Sequence, residues 1–357
     1  MDNLRRFILV FTCIIFVTLS VCGFLLAKSF SKSAKTENVD LSVNTNVYDP
    51  NKPQDSILNN FNENILVAIG DSDGTPSELT MLVNVNSITN EISLMYLPAN
   101  LKYATLSDRS VGTIGMICNK KGIANAADIL ASQYEITVDN YLYMPSDVFA
   151  EFIDLFVVNE NSSAAPTPAP TTSSPDGIIT VLLDASNAVE FTIPVDLKYS
   201  TGKYDIDLPK DTKFLTGKEA LQLIQFYRTE NNEYSTEMLE YYDGTDIKRI
   251  YNSGTFINAF INQKLLKTGN STFADEFAAK FFPLLAKCQT NLNETNLKQI
   301  GNLLTRINPD SIKSFVINGT DLFMDKHYLV YNDTVSDISN KSLLDGATIF
   351  KDNFKTN

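Results

Sequence analysis

Few residues in this chain are equipped for chemistry. There is one histidine, His327, so a histidine-based metal site or a Ser-His-Asp relay has almost nothing to be built from; His327 itself reads as a surface residue. Cys13 and Cys22 fall in an apolar run, which leaves Cys118 and Cys288 as the one pair that a disulfide could join. What remains is carboxylates and arginines. Asp71 and Asp73 flank Ser72 directly after an apolar run, and two aspartates so placed can share an oxygen-seeking cation such as Mg²⁺. Asp and Ser are equally the residues that form turns after strands. Asp246 precedes Arg249 by one helical turn. That spacing is either local support for a helix start, worth a few tenths of a kcal/mol, or a held arginine that can fork onto phosphate oxygens. Arg228 is a second such cation.

These residues must be positioned by the elements around them. Ile65-Leu66-Val67-Ala68-Ile69 is a short apolar run closed by Gly70, the pattern of a buried strand. Leu79–Val85 and Ile92–Leu97 read as two more strands joined by a polar turn. Residues 125–134 are helical in pattern. A helix over 147–156, capped by Ser146, sets Phe149, Phe152, Ile153 and Phe156 on one face. Residues 178–183 and 189–195 alternate as strands. Thr216-Gly217-Lys218-Glu219 is a capping box opening a helix. Further helices are expected over 255–265, 273–287 (with Pro283 inside it) and 297–307, and a strand over 314–317. The mixture implies an α/β fold, with a central mixed sheet and helices on both its faces.

The ends of the chain carry other information. Phe7–Ala27 is an uncharged run that as a helix would be about 30 Å long, the thickness of a hydrocarbon core. Leu25-Leu26-Ala27 is a poor signal-cleavage site, and Val21 before Cys22 does not suit lipidation, so the run reads as a retained anchor. Arg5 and Arg6 before it and Lys28, Lys32 and Lys35 after it nearly balance, so charge sets the orientation weakly. The reading is a cytoplasmic tail at 1–6, a membrane helix at 7–27, a polar stalk at 28–61, an extracytoplasmic domain at 62–335 and a tail at 336–357. Residues 159–177, rich in Pro, Ser and Thr, form an extended insertion in that domain. Residues 1–35 carry Arg5, Arg6, Lys28, Lys32 and Lys35 against Asp2, a net of +4, so the −13 of the whole chain becomes −17 over residues 36–357. That excludes nucleic acid as a natural partner.

The order of elements resembles the LytR-CpsA-Psr family of bacterial cell-envelope proteins, from about Asn64 to Val335. Asn64-Ile65-Leu66-Val67-Ala68-Ile69-Gly70-Asp71-Ser72 is similar to that family's first strand and Asp-Ser loop, and Thr80-Met81-Leu82-Val83 to its next strand. Val138-Asp139-Asn140-Tyr141 resembles its Asp-x-Tyr strand. Val195-Asp196-Leu197 through Leu215-Thr216-Gly217-Lys218-Glu219-Ala220-Leu221 resembles its strand, Tyr-containing loop and helix start. Asp246-Ile247-Lys248-Arg249 resembles its Asp-x-x-Arg. Members hold a polyprenyl pyrophosphate and move the attached glycopolymer onto peptidoglycan. The resemblance implies an apolar cleft for the lipid, arginines for the pyrophosphate and Mg²⁺ at the leaving group. It also implies Arg249 and Asp71 as catalytic residues, Asp73, Arg228 and Asp246 as ligand-binding residues, and Asp71 with Asp73 as the metal ligands.

The chain departs from that pattern where cations are needed. The family's arginine positions correspond to Asp73, Ser77, Ala99 and Gln225, with Arg228 one residue late; Asn252-Ser253 replaces its Arg-Gln. Arg249 and Arg228 are the pocket cations left, and Glu78 adds a carboxylate. A charged hydrogen bond contributes roughly 1.5–3 kcal/mol, so four lost would weaken pyrophosphate binding by about 6–12 kcal/mol if they added. The expectation is a divergent member, a pseudoenzyme that binds a lipid, a wall polymer or another envelope protein. Two alternatives stand beside it: an active transferase with arginines drawn from elsewhere, and a stalked surface interaction protein. Several basic groups converging near Asp71 would mark the enzyme.

Overall fold

Alternation along the first strand divides the molecule into two cores. In β1 (Asn62–Ile69), Ile65 and Ile69 face one hydrophobic cluster while Leu66 and Ala68 face another. A strand covered on both faces has no polar side to show, which is why its sequence is a continuous apolar run. The computed structural model describes residues 60–71, 75–105, 110–157, 186–227, 235–324 and 326–355. All of them belong to one unit, Asp55–Asn357.

After β1 come β2 (Leu79–Asn86), β3 (Glu91–Tyr96), β4 (Lys102–Ala104), β5 (Val111–Thr113), β6 (Asn140–Met144), β7 (Val189–Glu190), β8 (Leu197–Ser200), β9 (Asp205–Leu208), β10 (Phe214–Leu215), β11 (Gln289–Thr290), β12 (Ile312–Phe323), β13 (His327–Asp337) and β14 (Leu343–Asp345). The main sheet runs β11-β6-β1-β2-β3-β12-β13-β14. It is mixed: β1 pairs in parallel with β6 and β3 with β12, and the other neighbours are antiparallel. β4–β5, β7–β10 and β8–β9 form small antiparallel pairs.

The α-helices among the described residues are α1 (Ile114–Lys121), α2 (Ile123–Tyr134), α3 (Ser146–Val157), α4 (Gly217–Gln225), α5 (Thr236–Tyr241), α6 (Asp246–Phe260), α7 (Phe273–Leu285), α8 (Glu294–Leu304) and α9 (Gly346–Phe354). Helices α3, α4, α6, α7 and α8 supply one core, and α1, α2 and α9 the other. Gly217 opens α4 because that helix starts against α3: a Cβ there would lie 2.0 Å from the Ala150 carbonyl oxygen. Its N–H donates to Asp154 at 2.7 Å, and the Thr216 N–H donates to Glu219 at 3.1 Å, the return half of the capping box.

Several expectations are corrected. The described residues from 336 to 355 are not a tail. They supply β14 and α9, whose Phe350 and Phe354 are buried, and Asn64 on β1 donates its amide to the Phe354 carbonyl. The strand expected over 189–195 is only Val189–Glu190; beyond it Phe191 and Ile193 still donate to the Lys213 and Thr212 carbonyls at 2.8 Å, outside a regular ladder. The helix expected from Thr255 begins at Asp246, capped by the Thr245 hydroxyl, which accepts from the Lys248 N–H at 3.2 Å. Polar Lys248, Asn252 and Ser253 had masked its periodicity. Its last turn, Ile261–Leu265, is π-helical. β12 extends well beyond 314–317 into a long hairpin with β13. Ser146 is the first residue of α3, and its hydroxyl donates to Glu78 instead of capping. Cys118 and Cys288 are both free. His327 is exposed. The expected membrane helix, the stalk up to 59, the strand over 178–183 and the insertion at 159–177 lie outside the described residues; among those described, no helix is long and apolar enough to cross a membrane.

Candidate functional site

The carboxyl end of β1 and the start of β2 are joined by the segment that carries Asp71. Gly70 allows the pinch: a Cβ there would lie 2.9 Å from the Ser77 Cα. The Glu78 N–H returns to the Ile69 carbonyl at 2.8 Å, and the Ser77 N–H reaches the Gly115 carbonyl at 2.7 Å. Beside this junction is a cleft of about 340 Å³, lined by the Ser77–Glu78 segment, Ala99, Tyr204, Gln225, Tyr227 and the Asp246–Arg249 pair among others. Thus three of the four positions at which the resemblance places arginines do line one cleft, as Ser77, Ala99 and Gln225. The fourth, Asp73, lies outside the described residues, as does Arg228.

Arg249 is buried and heavily committed. Its Nε donates to Asp246 Oδ1 at 2.7 Å, and its Nη1 donates to the Glu78 carbonyl and, at 3.1 Å, to the Ile224 carbonyl. The other Asp246 oxygen accepts the Asn100 N–H at 3.1 Å. The pair therefore ties together the start of β2, α4, α6 and the turn after β3. Both sequence readings of the pair meet in one place, because this structural knot also walls the cleft.

Glu78 sits on the cleft wall almost without exposure. Its two oxygens accept from the Ser146 hydroxyl and from Gln225 Nε2 at 2.8 Å. Burial pushes its carboxyl above the ordinary glutamate range, with Asp71 adding to the shift and the two hydrogen bonds and Lys203 opposing it. The sequence implied a more negative cleft mouth from Glu78. Burial makes that charge harder to hold, while the Ser146 and Gln225 hydrogen bonds favour it.

Asp71 approaches Lys203 Nζ at 3.6 Å and accepts the Ser146 N–H at 3.4 Å, at the start of α3. Lys203 also donates to the Thr75 hydroxyl and stands 5.0 Å over the Tyr204 ring. Lys203 is a cation that sequence reasoning did not count. It comes from the turn between β8 and β9, and the Tyr-containing loop noted in the sequence was the signal available for it. Tyr227 also lines the cleft. Its hydroxyl bonds to the Tyr199 hydroxyl at 2.9 Å, and its carbonyl accepts from the Tyr242 hydroxyl. The rings of Tyr199 and Tyr204 stand edge-on to it at 5.2 and 6.0 Å.

A cation would find the described carboxylates occupied. Asp71 faces Lys203, Asp246 faces Arg249, and Glu78 already accepts two hydrogen bonds. Among the described residues no group of three His, Cys, Asp or Glu could hold a metal ion. Asp73, the second residue expected to hold Mg²⁺, lies outside the described residues.

Behind the cleft, the same face of the sheet and helices α3, α6, α7 and α8 enclose a second space of about 160 Å³. Every lining residue is apolar, including Val67, Val83, Phe152, Phe260, Phe277 and Ile300. Ile69 lines this cavity, and its carbonyl accepts the N–H of Glu78 in the cleft, so the two spaces are neighbours. The phenylalanines meet edge-to-face and tilted, with Phe152 5.8 Å from Phe260 and 4.6 Å from Phe281.

Residues 24–343 match the model of the LytR_cpsA_psr family. Three similar solved structures are B. subtilis TagV, a TagT bound to LIIa-WTA, and a Eubacterium siraeum protein described as a transcription regulator. TagV is 15% identical with a TM-score of 0.53, over 76% of this chain and 91% of that one. TagT is 15% identical with a TM-score of 0.51, over 77% and 86%. The Eubacterium siraeum protein is 16% identical with a TM-score of 0.51, over 76% and 86%. At these identities the likeness is one of fold. No curated protein matches the chain.

Proposed function

The chain belongs to the LytR-CpsA-Psr family, and from that membership we propose that it is an envelope protein that binds a lipid-linked wall glycopolymer without transferring it. The observation that carries this reading is the cleft wall: the positions where the resemblance calls for arginine present Ser77, Ala99 and Gln225. Phosphoryl transfer rests almost wholly on positioning and charge stabilisation. Arg249 commits its Nε and Nη1 donors to the protein itself, which leaves Nη2, and Lys203 is balanced by Asp71. A pyrophosphate entering here would meet two cations, each already facing a carboxylate.

The apolar cavity is unaffected by these substitutions. At about 160 Å³ it has room for a short apolar group, and it supports a lipid role because burying isoprenoid carbon contributes roughly 25 cal/mol per Å² and needs no charged partner. On this reading Phe7–Ala27 anchors the chain, and its domain works outside the cytoplasm, where lipid-linked polymer meets the wall. The test compares a polyprenyl alcohol with its pyrophosphate by calorimetry on the full-length protein, with turnover measured in Mg²⁺. Similar affinities and no transfer are expected. A strong preference for the pyrophosphate, or any sustained transfer, overturns the reading and restores an active transferase.

A further inference from the structure

The β12–β13 hairpin carries an apolar tip that neither the cleft nor the cavity uses. Val316 is level with Tyr96, Met81 and Val67 across the sheet, and the pairing of β12 with β3 ends there. β2 reverses the chain between β1 and β3, and β12 is parallel to β3, so β12 runs in the direction of β1. Phe323, farther along β12, stands about 20 Å beyond Val316 at about 3.3 Å per residue. That is past the carboxyl end of β1, the end that holds the cleft. Thr320, Asp321, Leu322, Phe323 and Met324 are all exposed, Phe323 to 69% and Met324 to 55%. The arm is held in place. Phe323 pairs with His327, and the Met324 N–H closes the turn onto the Lys326 carbonyl at 3.1 Å. The Leu329 N–H donates to the Asn100 carbonyl at 2.9 Å, and Tyr328 is buried with Lys326 Nζ 5.1 Å from its ring.

Alternation sends the Leu322 and Phe323 side chains to opposite faces of the ribbon, and Met324 stands at its turn. A partner protein would meet one face; an apolar medium covers all three residues at once. Asp321 and Asp325 against Lys326 leave the tip one net negative charge, so charge does not draw it in and its apolar side chains must. Resting on the reading of Phe7–Ala27 as an anchor, we propose that this tip seats in the headgroup layer of the bilayer that the anchor crosses. Three side chains hold a bilayer weakly by themselves. The anchor makes the contact intramolecular, so that effective concentration replaces affinity. The chain between is long enough: residues 28–59 can span up to about 105 Å. The distance along the strands from Asn62 to Phe323 is about 40 Å. Seated this way, the arm turns the cleft toward the membrane from which a lipid-linked ligand comes.

The chain has no tryptophan, so Phe323→Trp places a single indole at the tip. The full-length variant is reconstituted into phosphatidylcholine vesicles, plain or with acyl chains brominated near the headgroup, and floated. The tip emission should shift to the blue, lose most of its intensity in brominated lipid and be shielded from aqueous acrylamide. Leu343→Trp is the control: Leu343 is 71% exposed on β14 and level with Val316 through Ser336. Its emission should stay aqueous in the same vesicles. Adding Leu322→Ser and Met324→Ser to the tip probe should return it to the control value. An aqueous tip in floated vesicles, equal quenching at tip and control, or no response to the serine changes overturns the inference. A blue shift that grows with protein concentration and ignores bromine assigns the tip to a second copy and overturns it too. A chain that fails to float removes the anchor and this inference together, whereas a floating chain with an aqueous tip removes only this one. Polyprenol binding by the same preparation reads the ligand proposal separately.

Discussion

At the scale of residues, the cleft is governed by how Glu78 is held. Its carboxyl is raised by burial above the ordinary value of 4.5, so the folded protein keeps this proton after the unfolded chain has released it. Between those two values the native state binds more protons, and stability falls as pH rises. Glu78→Gln keeps the shape and removes the ionisation, its amide oxygen accepting from one neighbour while its NH₂ donates to the other, Ser146 or Gln225, which must turn to accept. Its thermal midpoint should match that of the wild type near pH 4 and exceed it increasingly as pH rises through the window towards neutrality. A difference that stays constant with pH would show that Glu78 is not held as a buried acid. Arg249 illustrates how much of this was legible. The Asp246–Arg249 spacing was readable as a turn of helix, but nothing in the spacing says that the guanidinium also reaches the Glu78 and Ile224 carbonyls. Lys203 approaches Asp71 because a hairpin distant in sequence folds over the β1–β2 junction, and only tertiary structure brings them together.

At the scale of elements, local pattern located strands and helices where one face is apolar and the ends are marked. β1 to β3 and α7 and α8 fall close to their expected positions because alternation and helical periodicity are strong there. Pattern failed where burial is partial or where packing overrides it: α1 is short, α6 opens on polar residues, and α9 follows what looked like a polar end. Helix α9 shows that the carboxyl-terminal segment is part of the fold. Phe354 is fully buried, Phe350 stacks on Tyr134 at 4.6 Å, and Asn64 reaches from the first strand to the Phe354 carbonyl. Truncating a buried phenylalanine costs about 3–5 kcal/mol when the cavity left behind cannot collapse. Phe354→Ala should therefore lower unfolding free energy by about that much in urea titration, with an unchanged slope. A loss below about 1 kcal/mol, the usual size for a surface change, would return residues 336–357 to the status of a tail.

At the scale of the whole molecule, the issue is whether residues 159–177 separate two domains or interrupt one. The elements on either side of that stretch complete one another. β6 lies before it and pairs with β11 after it; β3 lies before it and pairs with β12 after it. α3 lies before it and receives the start of α4, with the Gly217 N–H on Asp154 and Lys287 of the later chain salt-bridged to Glu151 at 2.6 Å. One hydrophobic cluster contains residues from both sides, from Ile65 and Phe149 to Ile224 and Phe277. Neither half could close its sheet or bury its helices alone, so the free energy of each depends on the other, the condition for a single cooperative transition. The cost of closing a loop grows only slowly with its length, about 0.6 kcal/mol per doubling, so the intervening stretch should have little influence on that transition. Deleting residues 161–176 should leave one unfolding transition, the same by circular dichroism and by calorimetry, with its midpoint shifted by only a few degrees. Two separable transitions in the intact chain beyond residue 60, or loss of folding on deletion, would place a domain boundary where the strand pairing shows continuity.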